Sequence, residues 1–378
     1  MIGAAGLSHA QFTSPHLIDR WDCISVNGRT VREALFQKVE AEVKAKNDAE
    51  DTCASEFEIL TATAFDLFQR EQVQVGVVEV GMGGREDATN VIQNPYVTVI
   101  TKIGMDHQGY LGDNIESIAR HKAGIMKSQT PCVVDGTNDE MVLQVLKQTA
   151  EHVHAPLHVI DGVSETVAVI RREAAARDTP LEEHQVINMS LASVAFRITM
   201  EQLDSQEYND KQVLDAAIGV QWPGRLQQLD VAAVFGGRPQ TVLLDGAHNV
   251  QSASILASYV DRRLRKNGHQ PVTWIAALSR GKEISQIFNA MMRAGDQLVA
   301  TEFGPVDGMP WVNPIPAPEV EKAATQVGIQ VVPNPESGRS LEDAIKLAAA
   351  TAQGGPVVIA GSLYLVSDVL RLLRRKGP

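Results

Sequence analysis

Residues 76–90 read Gly-Val-Val-Glu-Val-Gly-Met-Gly-Gly-Arg-Glu-Asp-Ala-Thr-Asn. The valines of the first half have the pattern of a strand buried on both faces of a parallel sheet. Glu79 interrupts them. An unpaired carboxylate is costly in such a place, so it demands a cation, a metal or a dense shell of hydrogen bonds. The glycines at 81, 83 and 84 let the backbone turn sharply where the strand leaves the sheet, and that carboxyl edge is where open α/β sheets bind ligands. Gly81-x-Gly83 begins like a dinucleotide fingerprint, but the third glycine position holds Glu86. Glu86 and Asp87 would set like charge against a pyrophosphate, which excludes a nicotinamide site. A structural turn around a salt-bridged Glu79 and a ligand-binding loop both fit the stretch by itself.

With 378 residues the chain has room for two domains with substantial cores. Its 44% hydrophobic and 21% charged residues place it among ordinary globular proteins rather than disordered or fibrous ones. The net charge of -12 argues against a nucleic-acid surface. Anionic substrates would then need metal ions or a few placed arginines. Cys23, Cys53 and Cys132 are odd in number and lack Cys-x-x-Cys spacing, which fits a reducing compartment and supplies no metal framework. No apolar run reaches membrane-spanning length and no signal peptide is visible, so no membrane partner is expected. The cytoplasm is the expected location. The abrupt start of the chain leaves a lost targeting segment, and so a mitochondrial location, open.

Upstream of the opening stretch, Ile24 to Val26 followed by Asn27-Gly28 reads as a strand entering a tight hairpin turn. Residues 31–47 alternate acids and lysines on a helical spacing, as a solvated helix does. Residues 56–70 form a second helix with Phe57, Leu60, Ala64, Phe65 and Phe68 on its core side. Downstream, residues 96–103 read as another buried strand, ending in Gly104-Met105-Asp106-His107. His107 stands where a ligand would bind, although a lone histidine there is as readily a hydrogen-bonded loop residue.

Asp113-Asn114-Ile115-Glu116 reads as a capping box with Asp113 as the cap. The helix that follows carries Ile115, Ile118, Ala119 and Lys122 on one face. A lysine on an apolar face either snorkels to water or pairs with an acid. Alternatively, burial lowers its pKa until the amine reacts with carbon dioxide to give a carbamate. Residues 130–135 read as a strand followed by a helix, 163–180 as a surface helix or irregular insertion, and 184–203 as an alanine-rich helix. Residues 204–211 read as loop and 212–218 as a short helix.

Trp222-Pro223-Gly224-Arg225 stops regular structure and marks a boundary between domains at 1–221 and 222–378. Beyond it, strand-like runs at 241–244, 272–278, 297–301, 330–332 and 357–360 alternate with helical ones, including 251–265, 341–352 and 363–374. That alternation predicts a smaller parallel or mixed α/β domain.

Several segments then fit one family together: Thr-Ser-Pro-His-Leu (13–17), Glu-Val-Gly-x-Gly-Gly-Arg-x-Asp-Ala-Thr-Asn (79–90), Asp106-His107, Lys-Ala-Gly-Ile-x-Lys (122–127), Trp-Pro-Gly-Arg (222–225) and Asp-Gly-Ala-His-Asn (245–249). Over nearly its full length the chain resembles the folate branch of the Mur ligase superfamily, the dihydrofolate synthases and folylpolyglutamate synthases. Phe-Glu-Ile-Leu-Thr (57–61), Asp-Gly-Thr-Asn (135–138), Gly-Met-Pro-Trp (308–311) and Gly-Ser-Leu-Tyr-Leu (361–365) resemble the fungal dihydrofolate synthases in particular.

The resemblance implies an α/β fold: a Mur-ligase-like central ATPase domain on a parallel sheet, and a smaller Rossmann-like C-terminal domain. It also implies a ligase that activates the carboxylate of dihydropteroate with ATP and Mg2+ as an acyl phosphate, which L-glutamate then displaces. Glu79 and His107 would be metal ligands, with Ser14 beside the metal and Lys122, carbamylated in relatives, as an acidic ligand. Arg225 would contact ATP phosphates, Asp245 the ribose and Asn188 the adenine. His248 and Ser362 would lie near the glutamate. Glu79, His107, Lys122 and His248 are thus the expected catalytic set, working in a cleft between the domains of a monomer. Only small molecules are expected as partners, namely ATP, dihydropteroate or folate, and L-glutamate.

The family also places a phosphate loop, Gly-Thr-x-Gly-Lys-Gly-Ser, one helix before the Thr-Ser-Pro-His-Leu motif. The twelve residues before Thr13 do not spell it, and Gly281-Lys282-Glu283 lacks the upstream glycine and the hydroxyl of such a loop. The resemblance therefore implies an N-terminal truncation, a sheet edge or gap where the first strand would lie, and turnover impaired by roughly 10³-fold or more. A catalytically dead folate-binding remnant is the alternative reading, and folylpolyglutamate synthesis the alternative activity.

Overall fold

The computed structural model describes residues 1–204, 207–235, 240–265, 270–333 and 340–377. It forms two compact units, Met1–His16 with Trp21–Val220, and Leu17–Arg20 with Gln221–Pro378.

In the first unit, β1 (His9–Phe12), β2 (Ile24–Val26) and β3 (Arg29–Thr30) precede α1 (Glu33–Glu50), α2 (Glu56–Arg70) and β4 (Val75–Val78). The strands make a sheet in the order β3-β2-β1-β4, with β4 parallel to β1 and the other pairs antiparallel. Asn27 and Gly28 turn the β2–β3 hairpin, both at positive φ. Ser55 and Glu58 cap α2 reciprocally. Two expectations need correction here. The helix expected to be merely solvated, α1, buries Phe36 and Val39 in the core with Phe12, Ile24 and Leu67. On α2, Leu60 and Ala64 are buried as expected and Phe57 and Phe68 pack partly buried against the same core, but Phe65 is only partly buried outside it, and Ile59, Thr61, Thr63 and Leu67 take the other buried places.

The valine run is not buried on both faces. β4 is a sheet edge with which no further strand among the described residues pairs, Gly76 is exposed, and Val77 is 48% exposed. Glu79, just beyond, is exposed as well, so it carries no burial penalty.

The unit continues with β5 (Thr98–Ile100), α3 (Gln108–Leu111), α4 (Ile115–Ala123), β6 (Cys132–Asp135), α5 (Glu140–Val153), β7 (Leu157–Ile160), α6 (Glu165–Ala176), α7 (Glu183–Gln202) and α8 (Asp210–Ile218). Strands β5-β6-β7 form a second, wholly parallel sheet. The expected parallel sheet is therefore one mixed sheet and one parallel one. The period of β6 explains its two-sided cover. Cys132 and Val134 face Ile118, Val142 and Leu146 of α4 and α5, while Val133 faces Ile170 and Leu191 of α6 and α7. Asn114, not Asp113, caps α4, its Oδ1 accepting from the Ser117 amide at 2.8 Å. Glu116 pairs with Arg120 instead of closing a box. Residues 165–176 are a regular helix rather than an insertion, because Val167, Ile170 and Ala174 recur on one buried face. In the loop expected over 204–211, residues 205–206 lie outside the described ones, and the loop ends at Asn209, which caps α8.

The second unit contains β8 (Gln227–Asp230), β9 (Thr241–Leu244), α9 (Val250–Arg263), β10 (Thr273–Ala276), α10 (Ile284–Met291), β11 (Gln297–Ala300), α11 (Ala317–Gln326), β12 (Gln330–Val331), α12 (Leu341–Ala352), β13 (Val357–Ala360) and α13 (Leu363–Lys376). Its sheet runs β12-β11-β10-β13-β9-β8, parallel throughout except for the antiparallel β8–β9 pair. β10 and β13 are buried at every position, which is why they read as continuous apolar runs. Trp274, Phe288 and Val358 pack on one face, and Ile275, Ile359 and Val369 on the other.

Asp296 and Arg265 form a buried ion pair at the amino ends of β10 and β11. Arg265 Nη1 and Nη2 donate to the two carboxylate oxygens at 2.7 and 2.6 Å. The Val272 and Arg293 amides and Trp274 Nε1 add bonds of 3.0, 2.9 and 2.9 Å. Burial pushes the Asp296 carboxyl up, but the hydrogen bonds from Arg265, Arg293, Val272 and Trp274 outweigh it and hold the group below its usual range. The stabilisation is therefore complete above the unfolded value of 3.8 and is lost as pH falls through the lower folded one. Replacing Asp296 by Ala leaves a buried guanidinium unpaired and should destabilise this unit by about 3–5 kcal/mol in a denaturant melt at neutral pH. A loss below about 1 kcal/mol would show that the pair is not a structural anchor.

Candidate active site

Because β1 and β4 are parallel with Phe12 opposite Val78, the residues that follow the two strands emerge side by side. The Glu79 amide donates to the Phe12 carbonyl at 2.8 Å. Glu79 Oε2 in turn accepts from the Ser14 amide at 3.2 Å. Ser14 Oγ is buried, and among the described residues nothing hydrogen-bonds it. The peptide bond from Ser14 to Pro15 is cis.

From Glu79 the glycine-rich loop runs to the last turn of α4. A Cβ at Gly84, where φ is +154°, would lie 2.8 Å from the His121 carbonyl oxygen and 3.1 Å from that of Lys122. One at Gly83 would lie 2.8 Å from Leu111 of α3. The Arg85 amide donates to the His121 carbonyl at 2.9 Å. Asn90 Nδ2 donates to the carbonyls of Arg85 and Gly124 at 2.9 and 3.2 Å, and Lys127 Nζ donates to the Asn90 carbonyl at 3.1 Å. The two acids that excluded a dinucleotide are ties within this arrangement. Asp87 accepts from the Met82 and Thr89 amides at 2.8 and 3.0 Å, and Glu86 meets His121 Nδ1 at 2.9 Å.

Lys122 is half-buried on that turn. Burial lowers its pKa below the ordinary 10.5, with Asp106 opposing. The Asp106 carboxylate also accepts from the His107 amide at 2.8 Å, and His107 itself is exposed at φ +54° ahead of α3. The structure thus joins Ser14 to Glu79, sets Lys122 in the field of the Asp106–His107 turn, and links both ends through one loop. Asn188 stands on the exposed side of α7, which packs on the β5–β7 sheet. The roles of Asn90 and Lys127 were not anticipated from sequence, although both lie inside the quoted motifs. No group of three or more His, Cys, Asp or Glu side chains among the described residues is arranged for a metal, so a metal here would depend on Ser14 and Lys122 as well.

In the second unit the Trp-Pro-Gly-Arg turn is stitched to the loop after β9. Asp245 accepts from the Leu226 and Ala247 amides, each at 2.8 Å. The Gly246 amide donates to the Gly224 carbonyl at 2.8 Å. A Cβ at Gly246 would fall 2.4 Å from both Arg225 Nη1 and Leu363 Cδ2, so a side chain there would push these two tips aside. His248 Nδ1 lies 2.8 Å from the Gly246 carbonyl. A carbonyl only accepts, so the neutral ring carries its proton on Nδ1 and its acceptor is Nε2. Ser362, 2% exposed, caps α13 by accepting from the Tyr364 amide at 3.1 Å. Arg225, Asp245, His248 and Ser362 therefore converge at the carboxyl ends of the neighbouring strands β9 and β13, where open α/β sheets bind ligands.

Residues 30–201 match the Mur ligase middle domain, and residues 227–372 the dihydrofolate synthetase C-terminal domain. A probable dihydrofolate synthetase of Schizosaccharomyces pombe is 35% identical over 378 residues, covering 98% of this chain and 88% of the relative. The chain belongs to the dihydrofolate synthase and folylpolyglutamate synthase family of Mur ligases. It is an enzyme of this family of ATP-dependent ligases, with the family's α/β fold. The dihydrofolate synthetase of Saccharomyces cerevisiae is 33% identical over 379 residues, 96% of this chain and 86% of that one. Among solved structures, a folylpolyglutamate synthase of Mycobacterium tuberculosis complexed with ADP superposes with a TM-score of 0.78 at 26% identity, covering 98% of this chain and 85% of that one. No helix among the described residues is long and apolar enough to cross a membrane.

Ser14→Ala separates structure from chemistry at this site. The hydroxyl is buried without a partner, so its loss should leave the melting midpoint unchanged or raise stability by up to about 1 kcal/mol. If the hydroxyl holds a metal ion, Mn2+ affinity, read by electron paramagnetic resonance, should fall. A destabilisation above about 1 kcal/mol would show that the hydroxyl is paired within the fold.

Proposed function

We propose that the chain joins L-glutamate to dihydropteroate, with ATP cleaved to ADP and phosphate, and releases dihydrofolate. The observation that carries this choice within the family is the match of residues 227–372 to the dihydrofolate synthetase C-terminal domain. The identity to the two fungal relatives supports it.

Ser14 Oγ, Glu79, His107 and Lys122 as its carbamate would hold Mg2+. The unpartnered Ser14 hydroxyl beside a carboxylate suits a hard cation that prefers oxygen. Burial, which lowers the pKa of Lys122, favours the neutral amine, the form that reacts with carbon dioxide. Bound there, the metal would offset the repulsion between phosphate and carboxylate oxygens. Arg225 would bind the ATP phosphates, and Asn188 the adenine. Asp245 would bind the ribose. His248 Nε2 would accept from the glutamate ammonium, and Ser362 would lie beside that amino acid. Folylpolyglutamate synthesis is the second reading, favoured by the name of the Mycobacterium neighbour.

A competition assay tests the choice. With ATP and L-glutamate, dihydropteroate should drive ADP release, slowed by roughly 10³-fold or more where the phosphate loop is lacking, and tetrahydrofolate should not. The reverse preference would establish polyglutamate synthesis, and no glutamate-dependent release with either acceptor would leave a folate-binding protein.

In 13C-bicarbonate, the protein should also show a carbamate carbon resonance that Lys122→Arg abolishes. A resonance that survives the substitution would assign the modification elsewhere.

A further inference from the structure

The Asp-Gly-Thr-Asn stretch at 135–138 takes no part in the candidate site, and it lies in the first unit where β6 ends. The β5–β6 ladder stops at Ile100 opposite Val134. Asp135, 2% exposed, then folds its own chain back, its Oδ1 accepting from the Thr137 amide at 2.8 Å and from Thr137 Oγ1 at 2.6 Å. The Gly136 amide donates to the Ile160 carbonyl, at the end of β7, at 2.8 Å. The turn returns Asn138 to the chain that β5 has just left. Asn138 is 5% exposed. Its Nδ2 donates to the Asp135 and Thr101 carbonyls at 2.8 and 3.4 Å, and its Oδ1 accepts from the Ile103 amide at 2.8 Å.

In a parallel ladder, a residue donates to the carbonyl just before its opposite number and accepts from the amide just after it. The Asn138 side chain makes both of those bonds about Lys102, so it stands where a further residue of β6 would have stood. Its partners decide which way the amide faces, since an N–H meets the oxygen and two carbonyls meet the nitrogen. On the solvent side, Lys102 Nζ donates to the Thr137 carbonyl. The Ile103 side chain is buried in one core with Leu111 of α3 and Ile118 of α4. Only Gly104 and Met105 separate this anchor from Asp106, whose carboxylate accepts from the His107 amide. Beyond it, the His107 carbonyl accepts from the Tyr110 and Leu111 amides, both at 2.9 Å. The Asp106–His107 turn is thus suspended between Ile103 and α3. Two intervening residues have few soft torsions with which to absorb a shift of Ile103.

We propose that Asn138 is a positioning residue for the Asp106–His107 turn: by extending the ladder of β5 past the end of β6, its side-chain amide sets where His107 stands. The consequence for metal binding rests on the reading of His107 as a metal ligand. A neutral amide suits the task. It supplies donors and an acceptor together, in the fixed geometry that the backbone of a strand would have offered, and every one of them is used.

Local hydrogen exchange and metal binding in the full-length chain test it. Asn138→Ala should speed amide exchange at Ile103 and Leu111 by about tenfold relative to Val134, which lies in the same core, and should weaken Mn2+ binding by about fivefold or more. Asn138→Asp, which keeps the acceptor for Ile103 and loses both donors, should fall between. Lys102→Met cuts the tie on the solvent side and should move both readouts the same way by about threefold, which keeps the test open if Asn138→Ala does not fold. Ile170→Val opens a small cavity on the opposite face of β6. It should lower the melting midpoint and leave Mn2+ affinity within about twofold. Exchange that rises equally at Ile103 and Val134 in Asn138→Ala would mark a merely structural residue and overturn the inference. So would equal losses of Mn2+ affinity in Asn138→Ala and Ile170→Val. If the unsubstituted chain binds no Mn2+ while the local exchange effect appears, the reading of His107 fails and the placement of the turn by Asn138 stands. If it binds Mn2+ and the substitutions at 138 and 102 leave that affinity untouched, the positioning role fails and the metal reading stands.

Discussion

The register of β1 against β4 is the constraint on which the first group of residues depends. Pairing Phe12 with Val78 sends Ser14 and Glu79 out of the sheet together, and the bond from the Glu79 amide to the Phe12 carbonyl adds one rung beyond the last strand residue. After that rung a side chain replaces the backbone, as the Glu79 carboxylate takes the Ser14 amide. A slip of one residue would turn Glu79 to the opposite face and remove its partner. The glycine loop then converts this local placement into a connection with α4. Its contacts to His121 and Lys122 are to backbone oxygens, which cannot yield as flexible side chains do, so the absence of a Cβ at Gly84 is a geometric requirement.

The second unit applies the same principle and separates two tasks along one sheet. At the amino ends of β10 and β11, Asp296 and Arg265 are enclosed and mutually satisfied. At the carboxyl ends of β9 and β13, Asp245 uses backbone amides to shape the loop that carries His248, and Gly246 gives up its side-chain volume to Arg225 and Leu363. Charge neutralised at one edge anchors the fold. The other edge leaves Arg225 exposed and His248 partly so, with Asp245 and Ser362 buried beneath them.

How much of this was legible in the sequence depended on whether a residue's partner could be inferred from the residue itself. The central strands β10 and β13 announced themselves because burial on both faces removes polar residues. β8, which reads Gln-Gln-Leu-Asp, and the largely exposed β7 carry little apolar signal, and both went unnoticed. The valines of β4 have the pattern of a two-sided strand although β4 is an edge, because periodicity reports side-chain faces and says nothing about how many strands flank a backbone. Asp113 and Asn114 are equally good caps, and only the position of the Ser117 amide decides between them. The candidate site residues were legible as motifs. The ties that hold them, through Asp87, Asn90 and Lys127, were not, because their partners are backbone groups brought close by the fold.

The electrostatics of the first group explain why a lysine and a divalent cation belong in one account. As an ammonium, Lys122 attracts Asp106, yet burial outweighs that attraction and lowers its pKa. A carbamate at that position would change the local charge by two units, turning the attraction to Asp106 into repulsion next to an already acidic neighbourhood. Within a chain of net charge -12, the long-range field offers no compensation. A cation bound at the site would offset the change, and a divalent ion would do so for both acids at once. On the proposed reading, modification and metal would stabilise each other: the carbamate would need the ion to persist, and the ion would need the carbamate beside the proposed ligands Glu79, His107 and Ser14. Each would raise the apparent affinity for the other by the same factor, as linkage requires.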